Sequence, residues 1–240
     1  MPEKLENQNI RIYLTPLQPA DNDIFADILG AQTLAYDVQI LTPQASVGDY
    51  LQAIEDFQEQ TLADCKGCDG CCHERAPLTI ADWQLAQNAG SETEPTEKEL
   101  ANWLLEWAEL HFCGPAVDLT LKRTPTGACN FLHEQQKYCT RHQQRSFTCR
   151  THCCLPRTER AEALRAALIN AGEDELVRRL LQMPADVQPW SSQLAACKLE
   201  DYAANAFSRL PINAWRQARI QDLLDKADWE LIYQPSAVAE

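Results

Sequence analysis

Four cysteines lie within eight positions, in the stretch CKGCDGCC at 65–72, and they are the residues most able to do chemistry. Cys65, Cys68 and Cys71 are each separated by two residues, so the chain can turn back and direct successive sulfurs at one centre. The same spacing begins the cysteine run that ligates bacterial-type iron–sulfur clusters. Cys72 directly follows Cys71, and neighbouring side chains diverge. Either one of this pair serves a second site, or a polynuclear cluster takes both.

A second group of cysteines follows at Cys129, Cys139, Cys149 and Cys153. Cys149 and Cys153 are four residues apart and would share one face if they lay on a helix. Together the two groups supply eight thiols, enough for two four-thiolate sites or for one cluster with a few supporting cysteines. Neither stretch has enough apolar residues to pack alone, so we expect the two groups to meet in space.

The order of these motifs resembles a known family. CKGCDGCC followed by LTIADW, CNFL, YC, RSFTCR and Cys153 is similar to the CxxCxxCC cysteine-cluster family, to which zinc or iron chelation is ascribed. That family includes YkgJ-like proteins and flagellin lysine N-methylases. The resemblance implies metal binding and places all eight cysteines, with Arg145 and Arg150, on family positions. His142 and Ser146 stand where the family usually has Tyr and Pro, and Cys154 is an additional cysteine.

Three classes of function are open for these residues: a metal centre, an enzyme, and an interaction or metal-delivery protein. The contiguous cysteine run favours an iron–sulfur cluster with a redox role or a role supporting an associated reaction, while two closed four-cysteine zinc sites would staple the fold. The resemblance also implies lysine methylation with S-adenosylmethionine, although the chain lacks a G-x-G-x-x-G fingerprint for an ordinary nucleotide fold. In the third alternative, the protein delivers metal or docks a protein partner through its C-terminal helices. The sequence does not decide whether the protein is an enzyme.

Other polar residues near the cysteines have two interpretations each. Arg145 and Arg150 could offset thiolate charge or bind an anionic cofactor, or they could form surface ion pairs. His73 and His152 are the histidines that could replace a thiolate, since imidazole is a common ligand. The cysteines outside the pattern are predicted to fill the core. The role of Cys154 is left undecided. These two core-filling cysteines are Cys113 and Cys197.

Composition limits the partners and the compartment. The 240-residue chain has a net charge of −14, which argues against nucleic acid and anionic membrane surfaces. The N-terminus does not resemble a signal peptide, and no apolar run is long enough to cross a membrane, so we expect a cytoplasmic protein. A reducing compartment makes metal binding a better use for eleven cysteines than disulfides, and an odd number also fits full pairing poorly.

The surrounding pattern predicts a mainly α fold, an irregular helical domain organised around a cysteine-rich metal core, with little β structure. We expect an N-terminal extended segment at 1–44, a metal-binding domain at 45–156 and a helical region at 157–240 packed on it. Ile10, Ile12 and Leu14 alternate with polar residues, as in a short strand.

The helix boundaries are predicted from capping residues. Ser46 begins a helix that leads to the first cysteines, and Thr79 begins a short one closed by Gly90. Thr96 with Glu99 has the spacing of a capping box, and the helix they begin is expected to end at Gly114. Its Trp103 and Trp107 are interpreted as part of a buried stripe rather than as a ligand platform.

Beyond these helices, an extended piece is expected at 116–123. One helix is then predicted to end at Gly172 and the next at Pro184. Two longer helical segments are expected at 193–210 and 211–227.

Overall fold

The structure is a computed structural model that describes residues 8–17, 34–62, 67–83, 94–114 and 116–235. Cys65 and Gly90 lie outside the described residues. The helices and strands in chain order are β1 (Ile10–Pro16), β2 (Leu34–Ile40), α1 (Val47–Thr61), α2 (Glu97–Trp107), β3 (Ala108–Cys113), β4 (Ala116–Leu121), β5 (Leu132–His133), β6 (Tyr138–Cys139), α3 (Phe147–Arg150), α4 (Glu159–Gln182), α5 (Ser191–Leu194) and α6 (Lys226–Ile232).

The prediction of a mainly α fold is wrong, because the protein is mixed α/β. Within the described residues, the strands form three two-stranded antiparallel sheets, β1–β2, β3–β4 and β5–β6. The strand signal near Ile10 is confirmed, since β1 pairs with β2 along its whole length, from Ile10 opposite Ile40 to Pro16 opposite Leu34.

The prediction that the helix continues to Gly114 is wrong, because a strand follows directly after α2. Helix α2 ends at Trp107 instead of Gly114, and the next residues form β3, which places Leu110 opposite Leu119 of β4. Gly114 connects the two strands with a φ of +63°, a conformation that glycine adopts easily. A single apolar residue such as Leu110 fits both a helical and a strand period, so the sequence pattern does not separate the end of the helix from the start of the strand.

Two predicted helix starts are confirmed as capping boxes. The Ser46 hydroxyl accepts a hydrogen bond from the Asp49 N–H at 3.1 Å, and the Asp49 carboxylate accepts one from the Ser46 N–H at 2.9 Å. Thr96 and Glu99 exchange the same pair of bonds at the start of α2. Each exchange satisfies N–H groups that a helix start leaves unpaired. Thr79 begins a 3₁₀ turn, Ile80–Asp82, and the rest of the helix predicted up to Gly90 lies mostly outside the described residues.

Helix α4 crosses the centre of the protein. The chain just before it pairs with β2, since Pro156 O accepts from the Tyr36 N–H and Tyr36 O accepts from the Thr158 N–H, at 3.0 and 3.1 Å. The side chains that α4 buries are almost inaccessible to solvent, and they include Ala161, Leu164, Leu168, Leu176, Val177 and Leu180. One contiguous hydrophobic core contains these residues together with residues of β2, β4, α1 and α2.

The prediction that a helix ends at Gly172 is wrong, because α4 continues through it to Gln182. A Cβ atom at Gly172 would lie only 2.8 Å from the Cβ of Thr79. The glycine therefore allows the helix to approach the turn that carries Thr79, and it does not act as a helix terminator.

The two longer helical segments predicted after α4 are also wrong. Between Pro184 and α6 the described chain forms α5 and short 3₁₀ turns, while Phe207, Ile212 and Trp215 are buried. Asn205 competes with helix formation: its side chain accepts from the Phe207 N–H at 2.9 Å and donates to Ala171 O at 2.8 Å. Among the described helices, none is both long and apolar enough to cross a membrane.

Candidate metal centre

Backbone hydrogen bonds hold the first cysteine group. The Gly67 N–H donates to Lys137 O at 2.9 Å, and Gly67 has a φ of +82°, which few other residues adopt without strain. A 3₁₀ helix, Gly70–His73, then carries two cysteines, and none of its residues is buried. Apolar packing therefore contributes little to this segment.

The two cysteine groups meet, as the sequence predicts. The Cys129 N–H donates to Cys72 O at 2.8 Å. Arg123 strengthens the junction, because its guanidinium donates to His73 O and, at 2.6 Å, to Gly127 O. A main-chain bond thus joins one cysteine of each group directly.

The β5–β6 hairpin positions Cys139. Leu132 pairs with Cys139 across the hairpin, and the Leu132 N–H donates to Cys129 O at 2.9 Å. The Thr140 N–H closes the turn by donating to Phe131 O at 2.8 Å. The hairpin consequently ties Cys139 to Cys129, ten residues earlier in the sequence.

Helix α3 positions Cys149. The Ser146 hydroxyl accepts from the Cys149 N–H at 3.3 Å, and the Phe147 N–H donates to the buried Asp82 carboxylate at 2.6 Å. The helix ends at Arg150, so Cys149 and Cys153 do not lie on one helix. Cys153 is 1% exposed, and the Gln58 amide donates towards its sulfur at 3.7 Å.

Thiols from both groups line a single cavity of about 690 Å³. Six of the predicted ligands are among its lining residues: Cys68, Cys71, Cys72, Cys129, Cys139 and Cys149. Cys154 also faces this cavity, whereas Cys153 lies with His152 and Cys154 along a smaller depression beside it. Cys197 lies away from the cavity and is half-buried against the core, and the side chain of Cys113 lies outside the described set.

The chemistry of this donor set fits a thiolate-bound metal. A hydrogen bond from the Cys72 thiol, together with nearby Arg145, lowers the pKa of Cys71 to about 6. The same hydrogen bond and burial raise the pKa of Cys72, and burial raises the pKa of Cys149 to about 12. One thiolate therefore forms readily at Cys71, and a metal must displace protons from the more buried thiols.

The thiols share a cavity without already converging on one point. Across the described ranges, no three Cys, His, Asp or Glu side chains are grouped closely enough to hold a metal ion.

The predicted arginines occupy different environments. Arg145 lines the cavity, and its buried Nε–H has no hydrogen-bond partner among the described residues. Arg150 forms a two-point ion pair with the Glu55 carboxylate, at 2.6 and 3.0 Å. Arg145 therefore has a buried donor without an acceptor in the described part of the chain, whereas Arg150 is paired with Glu55.

The two histidines also differ. His73 is exposed and lies 3.7 Å from Asp69, near the first cysteine group. His152 lines the cavity, and burial, followed by the positive charge of Arg165, lowers the pKa of its imidazole. The neutral imidazole is the form that binds metals.

This cavity also has an aromatic wall that the sequence pattern did not predict, defined by Trp103, Trp107 and Phe131. Trp103 is 4% exposed, as a buried stripe requires, yet it also lines the cavity. The rings of Trp107 and Phe131 lie 4.8 Å apart, and the Arg141 guanidinium lies 5.2 Å from the Trp107 ring centre. Two tryptophans one helical turn apart in a cysteine-rich chain were the available signal.

Asp82 is a second residue whose importance the sequence did not reveal. It is 1% exposed, and burial raises its pKa to about 6 although the N–H groups of Thr79 and Phe147 both donate to it. Asp82 therefore joins the turn after the first cysteines to the helix that carries Cys149. The spacing of Thr79 and Asp82 matches a capping box, which was a usable signal.

The resemblance to a known family is confirmed. Residues 64–166 match the family model CxxCxxCC, described as "Putative zinc- or iron-chelating domain". No curated protein and no solved structure matches the chain. The matched segment contains every thiol that lines the cavity, which supports metal binding by these cysteines.

Proposed function

We propose that the CxxCxxCC domain of this chain holds an iron–sulfur cluster through thiolates drawn from both cysteine groups. The observation that carries the proposal is the single cavity lined by six of the predicted thiols, three from each group, together with Cys154. A polynuclear cluster has several metal atoms and so accepts ligands from adjacent residues, such as Cys71 and Cys72. Bound there, it would supply one-electron redox chemistry, either for electron transfer or for an associated reaction.

The arrangement supports one centre better than two zinc staples. A structural zinc site is closed by four ligands. If each cysteine group formed its own zinc site, the two groups would not need to line one cavity. Here the main chain of Cys129 is bonded to that of Cys72, and Cys139 and Cys149 line the same cavity as Cys68. A single zinc ion would use only four of these thiols.

The protein's own residues contribute charge balance and shielding. Several thiolates in one cavity repel one another, and the Arg145 guanidinium, which lowers the pKa of Cys71, offsets part of that charge. Cys149 and Cys129 are shielded enough for burial to raise their thiol pKa values. Hydrogen bonding, charge and solvent exposure are the factors by which a protein tunes an iron–sulfur potential.

The test is an absorption spectrum of protein purified without oxygen, with iron, zinc and acid-labile sulfide measured on the same sample. The proposal predicts a brown protein with broad absorption near ~400 nm and sulfide in proportion to iron. A colourless protein with zinc and no sulfide would overturn it. The domain would then be a zinc-binding one.

A further inference from the structure

We infer that Cys154, and not its neighbour Cys153, is the metal ligand at the end of the second cysteine group. The spacing of the family motif favours Cys153, four residues after Cys149, and leaves Cys154 as an additional cysteine. The structure separates the two, because only Cys154 lines the cavity that contains the other thiols. This inference rests on the proposed metal centre, but it does not depend on which metal the thiols hold.

The Cys153 side chain is buried in the core. Cys153 is 1% exposed, belongs to the contiguous hydrophobic core and is not among the residues that line the cavity. The Gln58 amide donates towards its sulfur at 3.7 Å. A metal ligand must present its sulfur to the cavity, as both members of the adjacent pair Cys71 and Cys72 do. Cys153 does not meet this condition.

The backbone around this cysteine is fixed by further hydrogen bonds. The Gln58 amide also donates to Arg150 O at 2.7 Å and to His152 O at 3.1 Å. The N–H and the hydroxyl of Thr151 both donate to Phe147 O, at 3.0 and 2.9 Å. Turning the segment so that the buried sulfur reached the cavity would break these hydrogen bonds, each worth about 0.5–1.5 kcal/mol.

Cys154 lies where the cavity meets the surface. It is exposed, and it lines the cavity together with Cys149 and His152. It also lines the smaller depression beside the cavity, with Leu155 and Arg157. Its thiol therefore borders the cavity while the packed segment stays in place. With Cys154, seven thiols of the described residues line the cavity.

The test compares Cys153→Ala with Cys154→Ala in the full chain, loaded without oxygen with Fe²⁺ and sulfide and, in a parallel sample, with Zn²⁺. Because it lacks a ligand, Cys154→Ala should lose half of its metal at an EDTA concentration at least about tenfold lower than the parent requires. Folded Cys153→Ala should match the parent, as should the control Cys197→Ala, which lies away from the cavity. Thermal unfolding of each sample separates loss of a ligand from loss of the fold.

Alkylation of the parent chain with iodoacetamide gives a second readout, which applies even if Cys153→Ala does not fold. Mass spectrometry of the digested protein identifies the modified cysteines. Cys154 should be modified in the metal-free chain and protected after loading, because metal-bound thiolates react poorly. Cys153 should react slowly in both states, and Cys197 should react equally in both.

The outcomes distinguish this assignment from the proposed cluster. Metal loss in folded Cys153→Ala, parent-like retention in Cys154→Ala, or equal alkylation of Cys154 with and without metal would each overturn the assignment. A chain that binds zinc and forms no iron–sulfur cluster would overturn the cluster, and the zinc sample would still decide between the two cysteines. A chain that retains neither metal would overturn both.

Discussion

Helix α4 and the first cysteine group are held in place by opposite means. Leu164, Leu168 and Leu176 of α4 are at most 1% exposed and pack in the centre of the core. In the 3₁₀ helix Gly70–His73 no residue is buried, and the segment is held by main-chain bonds such as Cys72 N–H to Asp69 O at 2.9 Å. Apolar burial therefore stabilises the scaffold, while the cysteine segment depends on its hydrogen bonds and on the proposed metal centre.

This difference predicts that fold stability and metal binding can be changed separately. Substitutions in the packed helix should lower the free energy of unfolding and leave the metal content of the folded protein unchanged. Substitutions of the cavity thiols should remove metal and leave the packing of the scaffold unchanged. The predictions below test this separation, beginning with the largest expected effect.

Leu164→Ala should lower the free energy of unfolding by about 2–5 kcal/mol, because it leaves a cavity beneath α4. Denaturant unfolding measures the change, and metal analysis of the folded fraction should match the parent. Leu199→Ala is the control, since Leu199 is 38% exposed and should change stability by less than about 0.5 kcal/mol. Loss of metal in folded Leu164→Ala would show that the two regions are not separable.

Gly172→Ala should destabilise the protein by about 1–2 kcal/mol, although alanine favours helices. Its Cβ would lie 2.8 Å from the Cβ of Thr79, on the turn that carries Asp82. Asn170→Ala, at an exposed position of the same helix, should instead stabilise it slightly. Equal gains in both variants would mean that α4 has room to move away from Thr79.

Glu173 should make the scaffold sensitive to pH. Burial and a hydrogen bond with the Asp118 carboxyl raise the Glu173 pKa from 4.5 to about 8. Between these values the folded protein keeps a proton that the unfolded chain releases, so this group's contribution to stability falls as pH rises. Glu173→Gln keeps an acceptor for the Leu119 N–H and should lose less stability than the parent between pH 5 and 8.

The control for this pH effect is Glu200→Gln, because Glu200 is exposed. Urea unfolding at several pH values gives the slopes of stability against pH. The Glu200→Gln slope should match that of the parent. A Glu173→Gln slope equal to the parent's would contradict the raised pKa.

Arg150→Gln should have the smallest effect, lowering stability by about 1 kcal/mol or less, as expected for a partly exposed ion pair. If Arg150 acts only through Glu55, then Glu55→Gln should have the same effect and both variants should keep their metal. A loss of metal in Arg150→Gln alone would show that this arginine contributes to the centre directly.

The sequence predicted the local signals best. The caps at Ser46 and Thr96, the strand near Ile10 and the meeting of the cysteine groups all follow from short patterns or from the shortage of apolar residues near the thiols. The fold class was wrong because strands such as β3 follow a helix whose apolar pattern they share, with Leu110 fitting both periods. The helix end predicted at Gly172 was wrong because the glycine is required by packing on Thr79. Such tertiary contacts are not visible in one sequence.

The candidate site shows the same division. Residue types and spacing identified the eight candidate thiols, six of which line the cavity, but not the aromatic wall of the same cavity. Trp103 and Trp107 look the same in sequence whether a helix buries them in a core or along a cavity. The unpaired donors of Trp103 and Arg145 could be recognised only once the neighbouring acceptors were known.

The most direct test of a single centre compares Cys71→Ala with Cys129→Ala, one variant from each group, by iron, zinc and sulfide content per folded chain. Cys197→Ala, away from the cavity, serves as the control and should keep the parent's metal. One shared centre predicts that each variant alone loses essentially all of the metal. If each variant instead keeps about half of it, the groups form two separate sites, and the proposal of one iron–sulfur centre is contradicted.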